Sequence, residues 1–264
     1  MQAIQLHQPT SLADAAKLRT GNDDARFLAG GQSLLAAMKL GLNSATDLIN
    51  LANVPDLTGI KVNGNTVLIG AMTRHADVAA SADVKRLIPA LAVLAGSIGD
   101  RQVRNVGTIG GSLANADPAS DYPAGVVGLG ATVRTNQREI AADAFFTGLY
   151  ETALQEGEII TAVSFPVPDK AGYVKFKSPA SRFALVGVFV SKGAGGVRVA
   201  VTGAAGSVFR AAAIEAALAG NWAAAAAKAV KQSADQLNGD LHASAEYRAH
   251  LIPVLAARAV TAAG

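Results

Sequence analysis

Two glycine-rich segments with similar residue types lie about eighty residues apart in this chain. The first reads LAGGQSLL over residues 28–35, and the second reads NVGTIGGS over residues 105–112. Glycine allows a ligand to approach the backbone closely and adopts positive φ without strain, and exposed amides in such loops bind anions, most strongly where a helix begins. The pair therefore predicts a ligand with a diphosphate held from two sides. Each segment taken alone is also compatible with a plain tight turn.

Neither segment matches a common nucleotide-binding fingerprint. The G-x-G-x-x-G and G-x-x-x-x-G-K-[ST] patterns are absent, and no lysine lies inside either loop. Phosphate recognition would rest on amide dipoles and on the polar side chains of Gln32, Ser33, Thr108 and Ser112. No serine lies in a G-x-S-x-G turn and no carboxylate pair stands out, so the sequence favours no hydrolytic chemistry.

Composition excludes several classes of site. The 264 residues contain no cysteine, which rules out disulfides, cysteine-ligated iron–sulfur clusters and thiol catalysis in this chain. The four scattered histidines have no metal-ligand spacing, and we expect each to be a surface or capping residue. The 23 basic and 20 acidic residues are nearly balanced and form no basic run, which argues against nucleic-acid binding. Residues 1–5 show no signal-peptide pattern, and we expect no transmembrane segment and a cytoplasmic protein. Charged residues make up 16%, which indicates that partners cover part of the surface.

The elements that position the first loop are a strand and two helices. Ser11 is expected to cap a helix that ends at Gly21-Asn22. A short strand over 26–29 leads into the loop, and a second helix begins at Ser33. Asn63-Gly64-Asn65 indicates a hairpin.

Later elements follow from apolar patterning and breaker residues. A helix is predicted over 84–98 with an interruption at Pro89, and strands are predicted over 126–135, 158–165, 183–191 and 197–202. Helices are predicted over 210–219, 222–236 and 244–261. Strands followed by helices indicate an α+β layer. With boundaries near Pro55-Asp56 and Pro166-Val167-Pro168, we expect a first domain over 1–168, with subdomains of about 1–55 and 56–168, and a second over 169–264.

The order, spacing and flanks of the two loops resemble the FAD-binding medium subunit of the molybdenum hydroxylases, the family of aerobic carbon monoxide dehydrogenase and xanthine dehydrogenase. The resemblance covers nearly the whole chain and is densest over 29–42, 98–124 and 173–188. It implies an α+β protein with a two-subdomain FAD-binding fold (vanillyl-alcohol-oxidase/PCMH-like), followed by a C-terminal antiparallel sheet with a helical layer. It also implies one non-covalent FAD.

The resemblance assigns site residues as well. The residues that it places on the FAD diphosphate are Leu28, Ala29, Gly30, Gly31, Gln32, Ser33, Leu34, Leu35, Thr108, Ile109, Gly110, Gly111 and Ser112. Many relatives have asparagine in place of Ser112, whose side chain is shorter. Asp121 matches an aspartate that hydrogen-bonds FAD, although it also has the character of a helix N-cap. Lys177 matches a lysine near the flavin, whereas Lys175 on the same strand is expected to face solvent. Ile98 and Ile160 match positions that pack on the cofactor, and plain core residues are the alternative.

In such a protein the flavin carries the redox chemistry and the chain orients it. The resemblance implies no catalytic residue or metal here. It implies electron transfer from two [2Fe–2S] clusters on a small subunit through FAD to a terminal acceptor, with the molybdenum cofactor on a large subunit and the whole assembled as a dimer of heterotrimers. A free-standing FAD oxidase or reductase and a non-catalytic nucleotide-binding module are the alternatives. The substrate of the complex stays open between carbon monoxide, an aldehyde and an N-heterocycle, with residues 173–188 leaning towards the carbon monoxide branch.

Overall fold

A computed structural model describes residues 4–264 of the chain. Residues 1–3, on which part of the signal-peptide expectation rests, lie outside the described residues. The described chain contains sheets of three, five, four and two strands together with helices. It is an α+β protein, as the sequence predicts.

The N-terminal part is a three-stranded parallel sheet in the order β1-β3-β2. Its strands and helices are β1 (Gln5–His7), α1 (Leu12–Arg19), β2 (Ala25–Leu28), α2 (Leu34–Lys39) and β3 (Asp47–Asn50). Ser11 caps α1 as predicted, because its Oγ accepts from the Asp14 amide at 3.1 Å. The first glycine loop joins β2 to α2, which buries none of its residues.

The middle part is a five-stranded antiparallel sheet in the order β4-β5-β10-β6-β7 with helices packed against it. Its strands are β4 (Ile60–Asn63), β5 (Thr66–Gly70), β6 (Thr132–Thr135), β7 (Glu139–Ala141) and β10 (Ile160–Pro166), and β8 (Phe146–Gly148) and β9 (Glu151–Thr152) form a separate pair. The helices are α3 (His75–Ala80), α4 (Ala82–Leu87), α5 (Pro89–Gly96), α6 (Arg101–Val106), α7 (Ile109–Asn115), α8 (Tyr122–Gly128) and α9 (Ala142–Phe145). The hairpin predicted at Asn63-Gly64-Asn65 joins β4 to β5.

The C-terminal part is a four-stranded antiparallel sheet in the order β11-β12-β13-β14 with a helical layer. Its elements are β11 (Lys170–Lys177), β12 (Ala184–Gly193), β13 (Gly196–Thr202), β14 (Phe209–Arg210), α10 (Ala212–Gly220), α11 (Ala224–Ala229) and α12 (Ala245–Ala262). The apolar run of β12 is buried on both faces of the sheet. Val188 belongs to the core beneath α12, and Phe189 belongs to the core of the middle part.

Two predictions about elements are wrong in detail. The strand predicted over 126–135 is instead α8 followed by the short β6, because residues 121–129 are buried on all sides and such a run does not distinguish strand from helix. The interruption predicted at Pro89 is present, since α4 ends at Leu87 and Pro89 begins α5, where proline is tolerated in the first turn. The helix predicted over 222–236 is only the six residues of α11.

Candidate FAD-binding cleft

The two glycine loops, distant in sequence, lie directly against each other. A Cβ placed on Gly30 would lie 2.2 Å from the Val106 carbonyl oxygen and 2.7 Å from the Gly107 Cα. No real side chain fits that space, so glycine at position 30 is required by contact between the loops. This contact forms one wall of a cleft from two distant segments.

The first loop offers backbone donors that have no protein partner. In the described structure, the amides of residues 30–33 donate to no backbone or side-chain acceptor. Gly31 adopts the left-handed φ of +68°, and the Ser33 side chain makes no capping bond to α2. Unpaired amides just ahead of a helix are the arrangement that binds phosphate oxygens.

The second loop differs from the expectation that it also supplies free amides. The Ile109 amide donates to the Thr73 carbonyl at 3.1 Å, and the Gly110 amide donates to the Ala71 carbonyl at 2.8 Å. The Gly111 amide donates to Thr108 Oγ1 at 3.1 Å. This loop therefore supports the cleft by packing on the middle sheet, whereas the first loop carries the free donors.

Most of the residues assigned from sequence line one cavity of about 730 Å³. Those that line it are Ala29, Gly30, Gly31, Gln32, Ser33, Leu34, Ile98, Thr108, Gly110, Gly111, Ser112, Asp121 and Ile160. The volume lies in the range of cofactor sites. Ile98 is half-buried. Ile160 is buried and belongs to the core as well as lining the cavity, so it fits both the cofactor-contact and the plain-core interpretation.

Four assigned residues do not line this cavity. Ile109 is fully buried in the core beneath its loop. Leu28 and Leu35 pack around Gly31 instead, since a Cβ there would lie 3.2 and 2.8 Å from their methyl carbons. Lys177 is exposed at the end of β11, beyond a register shift between Phe176 and Lys177.

Asp121 lies in the cleft wall and is held by the C-terminal sheet. Its carboxylate accepts a short hydrogen bond from the Tyr173 hydroxyl and lies 3.0 Å from Lys175 Nζ. It makes no side-chain capping bond to α8, so the N-cap alternative does not describe its contacts. Burial raises the pKa of Asp121 above its ordinary value, and Lys175 and Tyr173 offset part of that rise.

The expectation that Lys175 faces solvent is wrong. Its side chain is only 6% exposed, because it packs against the buried carboxylate of Asp121, which provides the opposite charge. The alternation of a strand identifies two faces, but only the packing shows which face is covered.

His75 is a cleft residue that sequence reasoning missed. It is 5% exposed rather than superficial, and its amide donates to the Gly107 carbonyl at 2.9 Å, so it supports the second loop from below. Its ring packs 5.3 Å from the Tyr122 ring. Burial, with a smaller contribution from the charge of Arg104, lowers the pKa of His75 to about 4. No local sequence signal marks this role, because Gly107 lies more than thirty residues away.

The charges around the cleft suit an anionic ligand. Arg19, Arg26 and Arg182 line it. Of the three carboxylates that line it, Asp121 is paired with Lys175, and Glu158 is paired with Arg138 at 3.0 Å. The third, Asp100, accepts from the Val103 amide at 2.9 Å at the start of α6. Cationic side chains together with free amides favour a diphosphate, so the residues present fit the diphosphate-containing cofactor that the sequence predicts.

Comparison with known proteins identifies the family. The profile described as "FAD binding domain in molybdopterin dehydrogenase" matches residues 2–168, and that described as "CO dehydrogenase flavoprotein C-terminal domain" matches residues 175–263. The chain is 36% identical to the nicotine 6-hydroxylase medium subunit of Paenarthrobacter nicotinovorans, over 100% of this chain and 98% of that protein. This chain belongs to the FAD-binding medium subunits of the molybdenum hydroxylases.

Solved structures of related enzymes have the same fold as this medium subunit. A chain of carbon monoxide dehydrogenase from Hydrogenophaga pseudoflava, in a form that lacks the Mo-pyranopterin moiety, superposes with a TM-score of 0.87 at 35% identity, covering 99% of this chain and 97% of that one. A chain of quinoline 2-oxidoreductase from Pseudomonas putida 86 gives a TM-score of 0.88 at 27% identity, covering 99% and 96%.

The medium subunit binds FAD, and the molybdenum and iron–sulfur cofactors belong to other subunits of such complexes. Residues 4–264 contain no group of three or more histidine, aspartate or glutamate side chains that could hold a metal ion. No helix within this described range is both long and apolar enough to cross a membrane.

Proposed function

We propose that this medium subunit holds one non-covalent FAD in the 730 Å³ cleft, with the diphosphate against the amides of residues 30–33. The observation that carries the proposal is the set of unpaired amides at the start of α2. The other assigned residues that line the cleft, from Ala29 to Ile160, complete its wall. When bound, FAD supplies the redox chemistry that takes electrons from the [2Fe–2S] clusters of a small subunit to a terminal acceptor.

The lining supports distinct tasks for different parts of the cleft. Unpaired amides and arginines favour the diphosphate, while Ile98 and Ile160 offer apolar surface to a ring system. Three of the assigned residues support the loops by packing against them and do not line the cavity: Leu28, Leu35 and Ile109. For Lys177, a place near the flavin stays a prediction from resemblance, since its side chain is exposed outside this cavity.

The assembly and its surroundings are proposed by analogy with relatives. The chain joins a molybdenum-binding large subunit and an iron–sulfur small subunit, as a dimer of heterotrimers in the cytoplasm. We retain domain limits of 1–168 and 169–264. The substrate of the complex stays open, because identities of 36% to a nicotine 6-hydroxylase subunit and 35% to a carbon monoxide dehydrogenase subunit do not separate the two.

Acid precipitation of the purified protein tests the cofactor. The chain has no cysteine and no histidine within either glycine loop, so we expect no flavin linkage. All the flavin should appear in the supernatant as FAD, at one molecule per chain, by absorbance and chromatography. Flavin that stays with the denatured protein, or FMN in place of FAD, would contradict the proposal.

A further inference from the structure

A buried charged cluster connects the cleft wall to the C-terminal sheet. It consists of Asp121 at the start of α8 with Tyr173 and Lys175 on β11. The side chains of Asp121 and Lys175 are 4% and 6% exposed, and Lys175 Nζ lies 3.0 Å from both carboxylate oxygens. The Tyr173 hydroxyl donates to the same carboxylate.

Strand geometry explains why Tyr173 and Lys175 act together. Residues two apart on a strand share a face, so both side chains of this pair point to the same side of β11. The intervening Val174 packs in the core beneath α12, and Phe176 lies edge-on to Tyr247 of that helix. One face of β11 thus packs against α12, and the other contacts the middle part of the protein.

The chain just before Asp121 is held by the same sheet. The Thr202 hydroxyl lies 2.8 Å from the Pro118 carbonyl and 2.7 Å from the Ser120 carbonyl, and the Gly203 amide donates to Pro118 at 2.8 Å. Ser120 and Asp121 both line the cavity. Contacts from two strands of the C-terminal sheet therefore fix this part of the cleft wall.

The neighbouring strand leaves room for the cluster. A Cβ on Gly187 of β12 would lie 2.7 Å from the Tyr173 hydroxyl and 2.9 Å from Thr202 Cγ2. A carboxylate has about four acceptor positions, more than Tyr173 and Lys175 occupy, so Asp121 retains capacity for a donor in the cleft. Without Lys175 the buried carboxylate would lack its countercharge, which is costly.

We propose that Lys175 is a positioning residue for the cofactor: acting through Asp121, it holds the wall at residues 118–121 in the arrangement that retains FAD. The proposal rests on FAD binding in this cleft. It also means that the C-terminal sheet, which supplies few residues to the cavity itself, determines the shape of one side of it.

The test compares five variants, expressed as tagged full-length chains in the source organism and purified with the subunits that remain bound. Lys175→Met removes the charge, and Lys175→Arg restores a cation. Lys177→Met tests the lysine assigned by resemblance, and Lys192→Met on β12 is the exposed control. The fifth is the double variant Asp121→Asn/Lys175→Met. FAD per chain, the dissociation constant for added FAD after partial removal, and the melting temperature are measured for each.

We expect Lys175→Met to weaken FAD binding at least tenfold and to lower the melting temperature, while Lys175→Arg recovers most of both. Lys192→Met should stay within twofold of the wild type, and Lys177→Met reports separately on the lysine that the resemblance places near the flavin. The double variant should regain thermal stability, because no buried charge is left unpaired, but not FAD affinity. That separation distinguishes positioning from a merely structural role.

Two outcomes would overturn the inference. Equal FAD affinity in Lys175→Met and Lys192→Met would show that Lys175 does not act on the cofactor. Recovery of FAD affinity together with stability in the double variant would show that the ion pair only stabilises the fold. A wild-type chain without FAD in every preparation would instead contradict the proposed function itself.

Discussion

At the level of single residues, burial sets the chemistry of two side chains in the cleft wall. Asp121 directly precedes Tyr122 in the sequence, and the His75 ring packs 5.3 Å from the Tyr122 ring. Asp121 has a cationic partner, whereas His75 Nδ1 has no protein partner. Burial therefore favours the neutral imidazole, which adds no charge beneath the second loop.

The His75 pKa predicts a pH dependence of stability. The pKa is about 4 in the folded protein and 6.5 in the reference state, so the unfolded chain binds the proton more tightly and stability falls as the pH drops through this window. Between pH 7.5 and 4 this one residue should remove about 3 kcal/mol from the free energy of unfolding.

Urea unfolding across this pH range measures the effect. The loss of stability should be smaller by about that amount in His75→Gln than in the wild type, because glutamine does not titrate. His250→Gln, at an exposed position on α12, is the matched control and should behave as the wild type does. Identical pH profiles for His75→Gln and the wild type would show that His75 is not held neutral by the fold.

At the level of elements, the two glycine loops use glycine for different reasons. Gly31 has positive φ in the loop with free amides, whereas Gly110 is confined by Ala71, whose Cβ would lie 2.6 Å from an added Cβ. A substitution in the first loop changes donor geometry. One in the second loop separates α7 from the middle sheet.

Gly31→Val should weaken FAD binding at least tenfold. The left-handed φ of +68° is strained for valine, and the new side chain would press on Leu35 and Leu28. Gly41→Val is the matched control, since Gly41 has φ of +71° and nothing within 4 Å of an added Cβ. Both variants should lose about 1–3 kcal/mol of stability, but only Gly31→Val should lose FAD, by fluorescence titration.

The same FAD titration applies to a substitution in the second loop. Gly110→Val should lower both FAD occupancy and melting temperature, because overpacking against Ala71 displaces the loop. Gly195→Val in the β12–β13 hairpin, where nothing lies within 4 Å, should change neither. Unchanged FAD affinity in both Gly31→Val and Gly110→Val would mean that the two glycine-rich segments are tight turns with no role in FAD binding.

At the level of the whole molecule, apolar surface remains exposed beside the cleft. The apolar helix α2 buries none of its residues, and Leu40 and Leu42 just after it are 74% and 78% exposed. Exposed apolar patches of this kind mark interfaces. This observation agrees with a subunit that acts in an assembly.

We expect the chain alone to oxidise no organic substrate and to copurify with a molybdenum subunit and an iron–sulfur subunit. Native mass spectrometry of the complex should give the mass of two copies of each of three chains. The charged substitution Leu42→Glu should weaken the assembly without changing the fold of the chain, since Leu42 makes little contact within it. A solitary protein that turns over an added substrate at full rate would instead indicate a free-standing flavoenzyme.

The sequence by itself determined the features that depend on residues close together in the chain. The Ser11 cap, the Asn63-Gly64-Asn65 hairpin and the strand–loop–helix unit around Gly30 and Gly31 depend on local backbone preferences, and the structure contains all of them. The two glycine loops and their flanks also carried the family resemblance, which the comparisons confirm.

Only the tertiary structure decided which side chains and amides reach the cleft. Lys175 and Lys177 lie two residues apart on the same strand, yet one is buried against Asp121 and the other is exposed, because a segment distant in sequence covers Lys175 and the register shifts between Phe176 and Lys177. His75 reaches Gly107, and Ala71 takes the Gly110 amide, through contacts between segments distant in sequence. Such contacts depend on how sheets and helices pack, and single-strand alternation or residue type does not encode that packing.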